Sequence, residues 1–501
     1  MSNSFLYTIN LAKLIKKINR KVKVLFGGPQ ATLCATETLN LFQCVDAIGI
    51  GEGERTIELI INALLLDKDL TNIRGVAYLK DGEVKINDTD MISDLDLLEK
   101  YDFSLFDGEM NGRMSLDVGR GCPFGCKYCS TKTFWKRKFR LKSSNRIIEE
   151  MIEGNKKFNV TQFDLQHDLF TANRKKVIEF CNKLIELKLV YEWTCSARVD
   201  TLDEELISIM STAGCKAMFL GVETGSKSLQ RIINKNLNLD KVSEVVKGLK
   251  KNNIKVITSF IYGFPEETES DLNDTLELIY NLVIDKVDNV QCHLFSVFPG
   301  TEYMNELKES LYYSEVFSDL SSWQFHEFNN KNYMESNKEI FSQYLDFDLG
   351  VRKDVKGLDR YIYIYFKTFI KHFSNTYNYL RKISNSHVNI FKTFREANSE
   401  VFNKECSEIN GNSDIKDLCN KIYKLIGVVN DELLTEIFNF EIDIITFMYF
   451  SDEINMSKTY EYDVYRIKRN KLTNYENLNR TTKIQYTRLN DKYNINIKKV
   501  V

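Results

Sequence analysis

The chain has 501 residues, 43% hydrophobic and 28% charged, with 68 basic against 70 acidic side chains and a formal net charge of -2. This length predicts two or three domains, and the balanced charge excludes a global pull on nucleic acid while leaving local patches open. Eleven cysteines in so long a chain make no disulfide scaffold, and Lys13, Lys16, Lys17, Arg20 and Lys21 break the first amphipathic stretch. With no apolar run long enough to span a bilayer, neither a signal peptide nor a membrane helix is expected, and the cytoplasm is the expected compartment.

The N-terminal segment alternates helix and strand. A lysine-rich helix around Leu11 to Ile18 precedes the apolar strand Val22 to Phe26, which ends in Gly27-Gly28-Pro29. A second strand, Val45 to Ile50, runs into Gly51-Glu52-Gly53-Glu54 and a helix from Thr56 to Leu65. Two such units predict a parallel sheet. Glu52 and Glu54 would repel a phosphate, so the Gly49-x-Gly51-x-Gly53 run reads as a turn. Gly75 to Ile86 reads as a hairpin turning at Asp81-Gly82, and residues 91–111 read as a connector.

Next comes the strand Met114 to Val118, followed by Gly119-Arg-Gly-Cys-Pro-Phe-Gly-Cys-Lys-Tyr-Cys-Ser130. Cys122, Cys126 and Cys129, spaced C-x3-C-x2-C, can bind three irons of a four-iron cluster and leave the fourth open to a ligand. Zinc with a fourth ligand from elsewhere is the rival, although structural zinc favours paired C-x2-C units. Gly and Pro allow the sharp turns such a loop needs. Lys132 to Lys142 interleaves Lys132, Lys136, Arg137, Lys138, Arg140 and Lys142 with Phe134, Trp135 and Phe139. It suits RNA, a phosphorylated ligand, an acidic leader peptide, or simply a solvated segment whose aromatics pack beside the cysteines.

From Met114 to Pro299 the strand-then-helix pattern repeats six times. The remaining strands are Gln162 to Gln166, Glu192 to Ala197, Ala217 to Val222, Val256 to Tyr262 and Asn289 to Phe295. Right-handed crossovers would curl six parallel strands into a partial barrel, whose chemistry sits at the C-terminal ends of its strands. Those ends carry His167-Asp168, Ser196 with Arg198, Gly221-Val-Glu223-Thr-Gly225, Gly263-Phe-Pro265-Glu-Glu267 and Pro299-Gly300-Thr301. Read without further context, Asp168 is a helix cap, Arg198 half of a surface ion pair and Glu223 part of a strand-to-helix turn.

Together these motifs resemble the radical S-adenosylmethionine (radical SAM) superfamily, in the group that carries an N-terminal cobalamin-binding-like domain. The resemblance covers roughly residues 20–310. It implies a [4Fe-4S] cluster on Cys122, Cys126 and Cys129, which are also the catalytic residues. It further implies S-adenosylmethionine contacts at Tyr128 (adenine), Asp168 (amino group), Ser196 and Arg198 (ribose and carboxylate) and Glu223. A flavodoxin- or ferredoxin-type electron donor follows as partner. Gly27-Gly28-Pro29 and Gly51-Glu52-Gly53-Glu54 are similar to the second half of the family's cobalamin-binding, Rossmann-like domain. The family's earlier strands and its Asp-x-His-x-x-Gly loop have no counterpart here, since all five histidines lie at 167 or beyond. The segment is therefore expected to be truncated and to bind no cobalamin.

After Pro299 no proline occurs. Residues 311–501 read as mainly helical, and the aromatic stripes Tyr361 to Phe373 and Leu433 to Phe450 read as core. An Asn/Lys-rich stretch from Ser457 holds strand-like pieces at Thr482 to Tyr486 and Tyr493 to Ile497. Cys34, Cys44, Cys181, Cys195, Cys215, Cys292, Cys406 and Cys419 show no second ligand spacing and read as ordinary thiols.

The expected fold is α/β: a truncated Rossmann-like segment (1–90), the connector (91–111), a partial (β/α)6 TIM-like barrel (112–310) and a mainly α C-terminal domain (311–501). The expected function is reductive cleavage of S-adenosylmethionine to a 5'-deoxyadenosyl radical that modifies a ribosomally made peptide or a small metabolite. The alternatives are a cobalamin-linked radical methyltransferase and a non-catalytic iron-sulfur protein that binds RNA or a partner. Nucleic acid is not the favoured partner, and no membrane is expected.

Overall fold

The computed structural model describes residues 5–106, 108, 110–314, 331–402, 415–449, 455–460, 482–488 and 495–499. They fall into two compact units, one comprising 1–271 and 285–353, the other 272–284 and 354–501. Among the described residues no helix is long and apolar enough to cross a membrane.

The first unit begins with helix α1 (Phe5–Ile18), strand β1 (Leu25–Phe26), helices α2 (Gly28–Leu33) and α3 (Ala35–Leu41), strand β2 (Ala47–Gly49) and helix α4 (Ile57–Leu65). Strands β3 (Val76–Lys80) and β4 (Glu83–Ile86) follow. β1 and β2 are parallel as expected, but β3 pairs antiparallel with β2, so the sheet is mixed. The antiparallel pairing of β3 with β4 follows from the hairpin turn between them. Asp81 (φ 52°) and Gly82 (φ 81°) both adopt the left-handed region that a two-residue turn requires. That turn folds β4 back beside β3, with no room for a crossover helix. Ile9, Leu39 and Ile48 from this segment share one apolar core with Phe264, Phe295 and Tyr344.

A second sheet holds six strands, β5 (Arg113–Asp117), β8 (Gln162–Gln166), β9 (Glu192–Ala197), β10 (Cys215–Glu223), β11 (Lys255–Tyr262) and β12 (Asn289–Leu294), in that spatial order. Every neighbouring pair is parallel. The short strands β6 (Gly119–Arg120) and β7 (Arg140–Leu141) pair with each other and flank the cysteine segment. Between the main strands lie α6 (Ser144–Phe158), α7 (Arg174–Glu186), α8 (Glu204–Thr212), α10 (Val242–Lys251) and α11 (Glu269–Ile284), after the short helices α5 (Thr131–Phe134) and α9 (Lys227–Ile232). Ser143, Asn173 and Asp203 cap α6, α7 and α8 through their side chains. Burial alternates along the strands, with Trp193, Cys195 and Ala197 buried and Thr194 and Ser196 on the more open face. Arg352 ties two strand ends together by donating to the carbonyls of Gly263 (3.1 Å) and Phe295 (2.8 Å) while pairing with Asp346.

In the second unit the helices Ser374–Ser384, His387–Ala397, Ile415–Val429 and Glu432–Tyr449 accompany an antiparallel sheet of Asn455–Tyr460, Thr482–Arg488 and Ile495–Lys499. The aromatic stripe is core: Tyr361, Phe366, Phe369, Phe373 and Tyr377 are buried. Cys406 and Tyr493 lie outside the described residues.

Candidate functional site

The cysteine segment is held in shape by backbone that tolerates no side chain at two points. A Cβ on Gly119 would meet the Arg140 carbonyl and the His167 ring, and one on Gly121 (φ +85°) would run into the Lys138 carbonyl. Gly121 donates its N–H to Asp168 Oδ2 at 2.8 Å, which brings the end of β8 onto the loop. His167 is spent on the scaffold: Nε2 meets the Arg140 carbonyl at 3.1 Å, and Nδ1 accepts from Leu169 N–H at 2.8 Å.

The three thiols share one electrostatic neighbourhood. Burial pushes the Cys122 thiol up to about 11, and the nearby Cys129, Cys126 and Asp168 push in the same direction. Burial raises Cys129 too, again with Cys126 and Asp168 close by. Nearby donors act the other way and favour the thiolates, the Phe124 N–H at Cys122 and the Thr131 hydroxyl and N–H at Cys129. Thiols that repel one another as thiolates, yet face hydrogen-bond donors, suit a polynuclear cation that neutralises them. By this test of donor chemistry the residues fit an iron-sulfur cluster. Among the described residues no three His, Cys, Asp or Glu side chains gather around a single-ion position.

Tyr128 lies against the same cluster of groups. Its acidity is suppressed by burial first, then by the charges of Glu223, Cys126 and Cys129. The ring meets Phe264 edge-on at 5.9 Å. Glu223, at the end of β10, is a non-glycine residue at φ 71°, beside an irregularity in the pairing with β11. Such a bulge re-aims a side chain, at a backbone cost of about 1–3 kcal/mol. The re-aimed carboxylate accepts from Lys235 Nζ at 2.6 Å, and both side chains are almost fully buried. Gly221 makes room for the pair, because a Cβ there would stand 2.6 Å from Glu223 Oε1 and 2.9 Å from Lys235 Nζ.

Arg198 stands beside Cys126 and Tyr128. The fork expected for a ligand carboxylate is engaged: Nε and Nη2 hold Asp200 at 2.9 and 2.7 Å, and Nη2 also donates to the Lys235 carbonyl. The guanidinium stacks over Phe124, 3.8 Å from its centroid. Ser196 sits half-buried, in register with the exposed Phe219 on the open face of the sheet.

Two features escaped the sequence reading. Lys235 is one, a buried ammonium for which Glu223 is the acceptor found among the described residues. The other is a buried ion network that joins the N-terminal segment to the cysteine loop. Glu52 accepts from Arg120 Nη1 (2.5 Å), Arg140 Nη1 (2.7 Å) and Ile92 N–H (2.8 Å), while Glu54 and Asp117 also hold Arg120. Gly51-Glu52-Gly53-Glu54 thus grips the residue two positions before Cys122.

Residues 116–279 match the radical SAM superfamily profile. An uncharacterised methyltransferase of Pyrococcus horikoshii is 31% identical over 306 residues, 59% of this chain and 64% of that protein. The anaerobic magnesium-protoporphyrin IX monomethyl ester cyclase of Rubrivivax gelatinosus is 29% identical over 330 residues, 62% of this chain and 57% of that protein. The chain thus spans little more than half the length of these relatives. Among solved structures, the cobalamin-dependent S-adenosylmethionine radical enzyme OxsB with aqua-cobalamin bound aligns with a TM-score of 0.58 at 13% identity, over 88% of this chain and 71% of that one. The Kitasatospora setae methyltransferase TsrM, with cobalamin and a [4Fe-4S] cluster bound, aligns at 0.50 and 13% identity over 60% and 61%. With such neighbours, the expectation that this chain binds no cobalamin is unsupported. That expectation rested on a missing sequence motif and on the missing earlier strands of the family's domain.

Proposed function

We propose, for a chain whose residues 116–279 belong to the radical SAM superfamily, that Cys122, Cys126 and Cys129 hold a [4Fe-4S] cluster and that the neighbouring strand ends bind S-adenosylmethionine on it. When bound, the pair would supply reductive carbon-sulfur cleavage and a 5'-deoxyadenosyl radical that takes hydrogen from a substrate. One observation carries this reading: Asp168, Tyr128 and Arg198, from separate strand ends and from the loop itself, each lie in the electrostatic neighbourhood of one or more of the three thiols, and Glu223 lies in that of Tyr128.

The six parallel strands are read as the partial barrel that holds this site, with substrate entering over the open face that bears Ser196 and Phe219. Asp168 receives the ligand's ammonium, because a carboxylate pairs well with that group. Lys235 takes the ligand's carboxylate, since its ammonium keeps two N–H donors beyond the one given to Glu223, whereas Nε and Nη2 of Arg198 are held by Asp200. Tyr128 covers the adenine side and helps exclude water. Modification of a peptide or a small metabolite suits this arrangement, with an acidic one-electron carrier as reductant.

A second reading, methyl transfer with cobalamin, is favoured by the names of the relatives and by a surface cavity of about 450 Å³ lined by Phe5, Thr8, Phe26, Gly27, Gly28 and Pro29. No histidine precedes His167, so cobalt bound there would have no imidazole ligand from this segment.

The test is anaerobic reconstitution with iron and sulfide. With dithionite and S-adenosylmethionine the protein should release 5'-deoxyadenosine, and Cys126→Ala should not. A full iron complement without cleavage would defeat the proposal. Stoichiometric cobalamin uptake would select the second reading.

A further inference from the structure

The basic, aromatic stretch after the cysteines divides sharply once its partners are known. Lys132 is paired with Glu302, Arg140 with Glu52 and Lys142 with Glu150. The nearby cations Arg120 and Lys127 are spent as well, on Glu52, Glu54 and Asp117 and on Glu266 and Glu306. Lys136, Arg137 and Lys138 are different: all three are exposed, and no carboxylate pairs with them among the described residues. They therefore carry the uncompensated positive charge around the loop.

Their place is as informative as their charge. Arg137 Nε donates to the Pro123 carbonyl at 3.1 Å, and its guanidinium carbon would lie 3.6 Å from a Cβ on Gly125. Asn234 flanks the same glycine by donating to its carbonyl at 2.9 Å. The Lys138 carbonyl packs against Gly121. These cations consequently rim the stretch between Cys122 and Cys126, where Gly125 has no side chain to hold a visitor away.

We infer that Lys136, Arg137 and Lys138, rimming the bare backbone at Gly125, form the docking surface for an acidic one-electron carrier protein. The inference rests on the cluster reading above. One electron would pass from the carrier's reduced flavin to the cluster, oxidising the flavin by one electron and reducing the cluster by one. A patch of three charges suits this partner, because electron-transfer encounters are small and transient and depend on charge for steering. RNA is less well served. Phe134 and Trp135 are half-buried, edge to face at 4.5 Å, and present no open stacking platform.

The test uses Lys136→Glu/Lys138→Glu and leaves Arg137, which braces the loop, in place. Fluorescence anisotropy with a labelled bacterial flavodoxin, on protein as purified without cluster, should show binding weakened about tenfold or more at low ionic strength, with the difference fading as salt screens the patch. In reconstituted protein, bleaching of the cluster by reduced flavodoxin should slow by a similar factor, while bleaching by reduced methyl viologen should not change. Equal flavodoxin binding by variant and wild type would overturn the inference, as would equal slowing with both reductants. Loss of single-stranded RNA binding in the variant with flavodoxin binding intact would assign the patch to RNA instead. Failure to assemble a cluster would defeat the proposed function, yet the anisotropy arm would still report on the patch.

Discussion

Replacing Glu52 should destabilise the first unit far more than its position in the N-terminal segment suggests. Its carboxylate is 2% exposed and lies between Arg120, 14% exposed, and Arg140, 8% exposed. Among the described residues Arg140 Nε and Nη2 have no hydrogen-bond partner, and Glu52 is the counter-charge found for that buried guanidinium. Removing one member of a buried pair leaves the other uncompensated, at about 3–5 kcal/mol. With a urea dependence of about 3 kcal/mol/M, Glu52→Ala should lower the unfolding midpoint by roughly 1–1.7 M. Glu52→Gln, which keeps the shape but turns an amide toward a guanidinium, should cost about half as much.

The pH dependence gives a second handle on the same group. Burial alone would raise the Glu52 carboxyl, but hydrogen bonds from Arg140, Arg120 and the Ile92 N–H outweigh it and hold it below the ordinary value of 4.5. The stabilisation is therefore complete above the ordinary carboxylate range and is lost as pH falls through the lowered folded value. Urea titrations at neutral and acidic pH should show the gap between wild type and Glu52→Gln narrowing in acid. The Arg140 guanidinium lies over the Trp135 ring at 5.1 Å, so Trp135 fluorescence reports locally on the same event. A midpoint shift under about 0.3 M for Glu52→Ala, equivalent to less than about 1 kcal/mol, would refute the network as a support of the cysteine loop.

Glu267 should behave in the opposite sense: burial raises its carboxyl to about 8, so its contribution is full below the ordinary 4.5 and fades as pH rises through 8. Glu267→Gln should flatten the fall in Tm between pH 5 and pH 8.5, and a variant less stable than wild type at the upper pH would count against this reading. Lys235→Ala should weaken S-adenosylmethionine binding by calorimetry about 10–100-fold, as expected for a lost charge-assisted hydrogen bond, whereas Lys235→Arg should keep most of it. An unchanged Kd in the alanine variant would remove Lys235 from the ligand site. Gly121→Ala puts a Cβ into the Lys138 carbonyl at φ +85° and should reduce the iron retained on reconstitution. Iron content and Tm equal to wild type would show that the loop can relax around it.

The strands of the six-stranded sheet were legible because their signal is local. Gln162–Gln166 and Glu192–Ala197 match their expected bounds, and Arg113–Asp117 and Cys215–Glu223 differ only at their ends. Alternating burial and side-chain caps write such elements into a few consecutive residues. The turn of β4 back on β3 was written locally too, in Asp81-Gly82, but the antiparallel pairing of β3 with β2 depends on which edge the hairpin meets. That pairing is a tertiary choice, and period alone does not encode it.

The ion pairs at the site depended on tertiary structure still more strongly. Arg198 and Lys235 are both cations near strand ends, and residue type favours Arg198 for a carboxylate because its fork binds in two places. The fold gives each a carboxylate: Asp200, two residues away, takes the Arg198 fork, and the bulge at Glu223 swings a carboxylate onto Lys235 twelve positions further along the chain. Glu52 reaches Arg120 across 68 positions, and nothing in either local stretch announces the other. A charged residue's partner decides whether its charge is available to a ligand. By that measure Lys235 meets a ligand only with the donors left beyond Glu223, whereas Lys136, Arg137 and Lys138 face solvent with no carboxylate paired to them among the described residues. Function at the loop's rim is read from the charges the fold has not already spent.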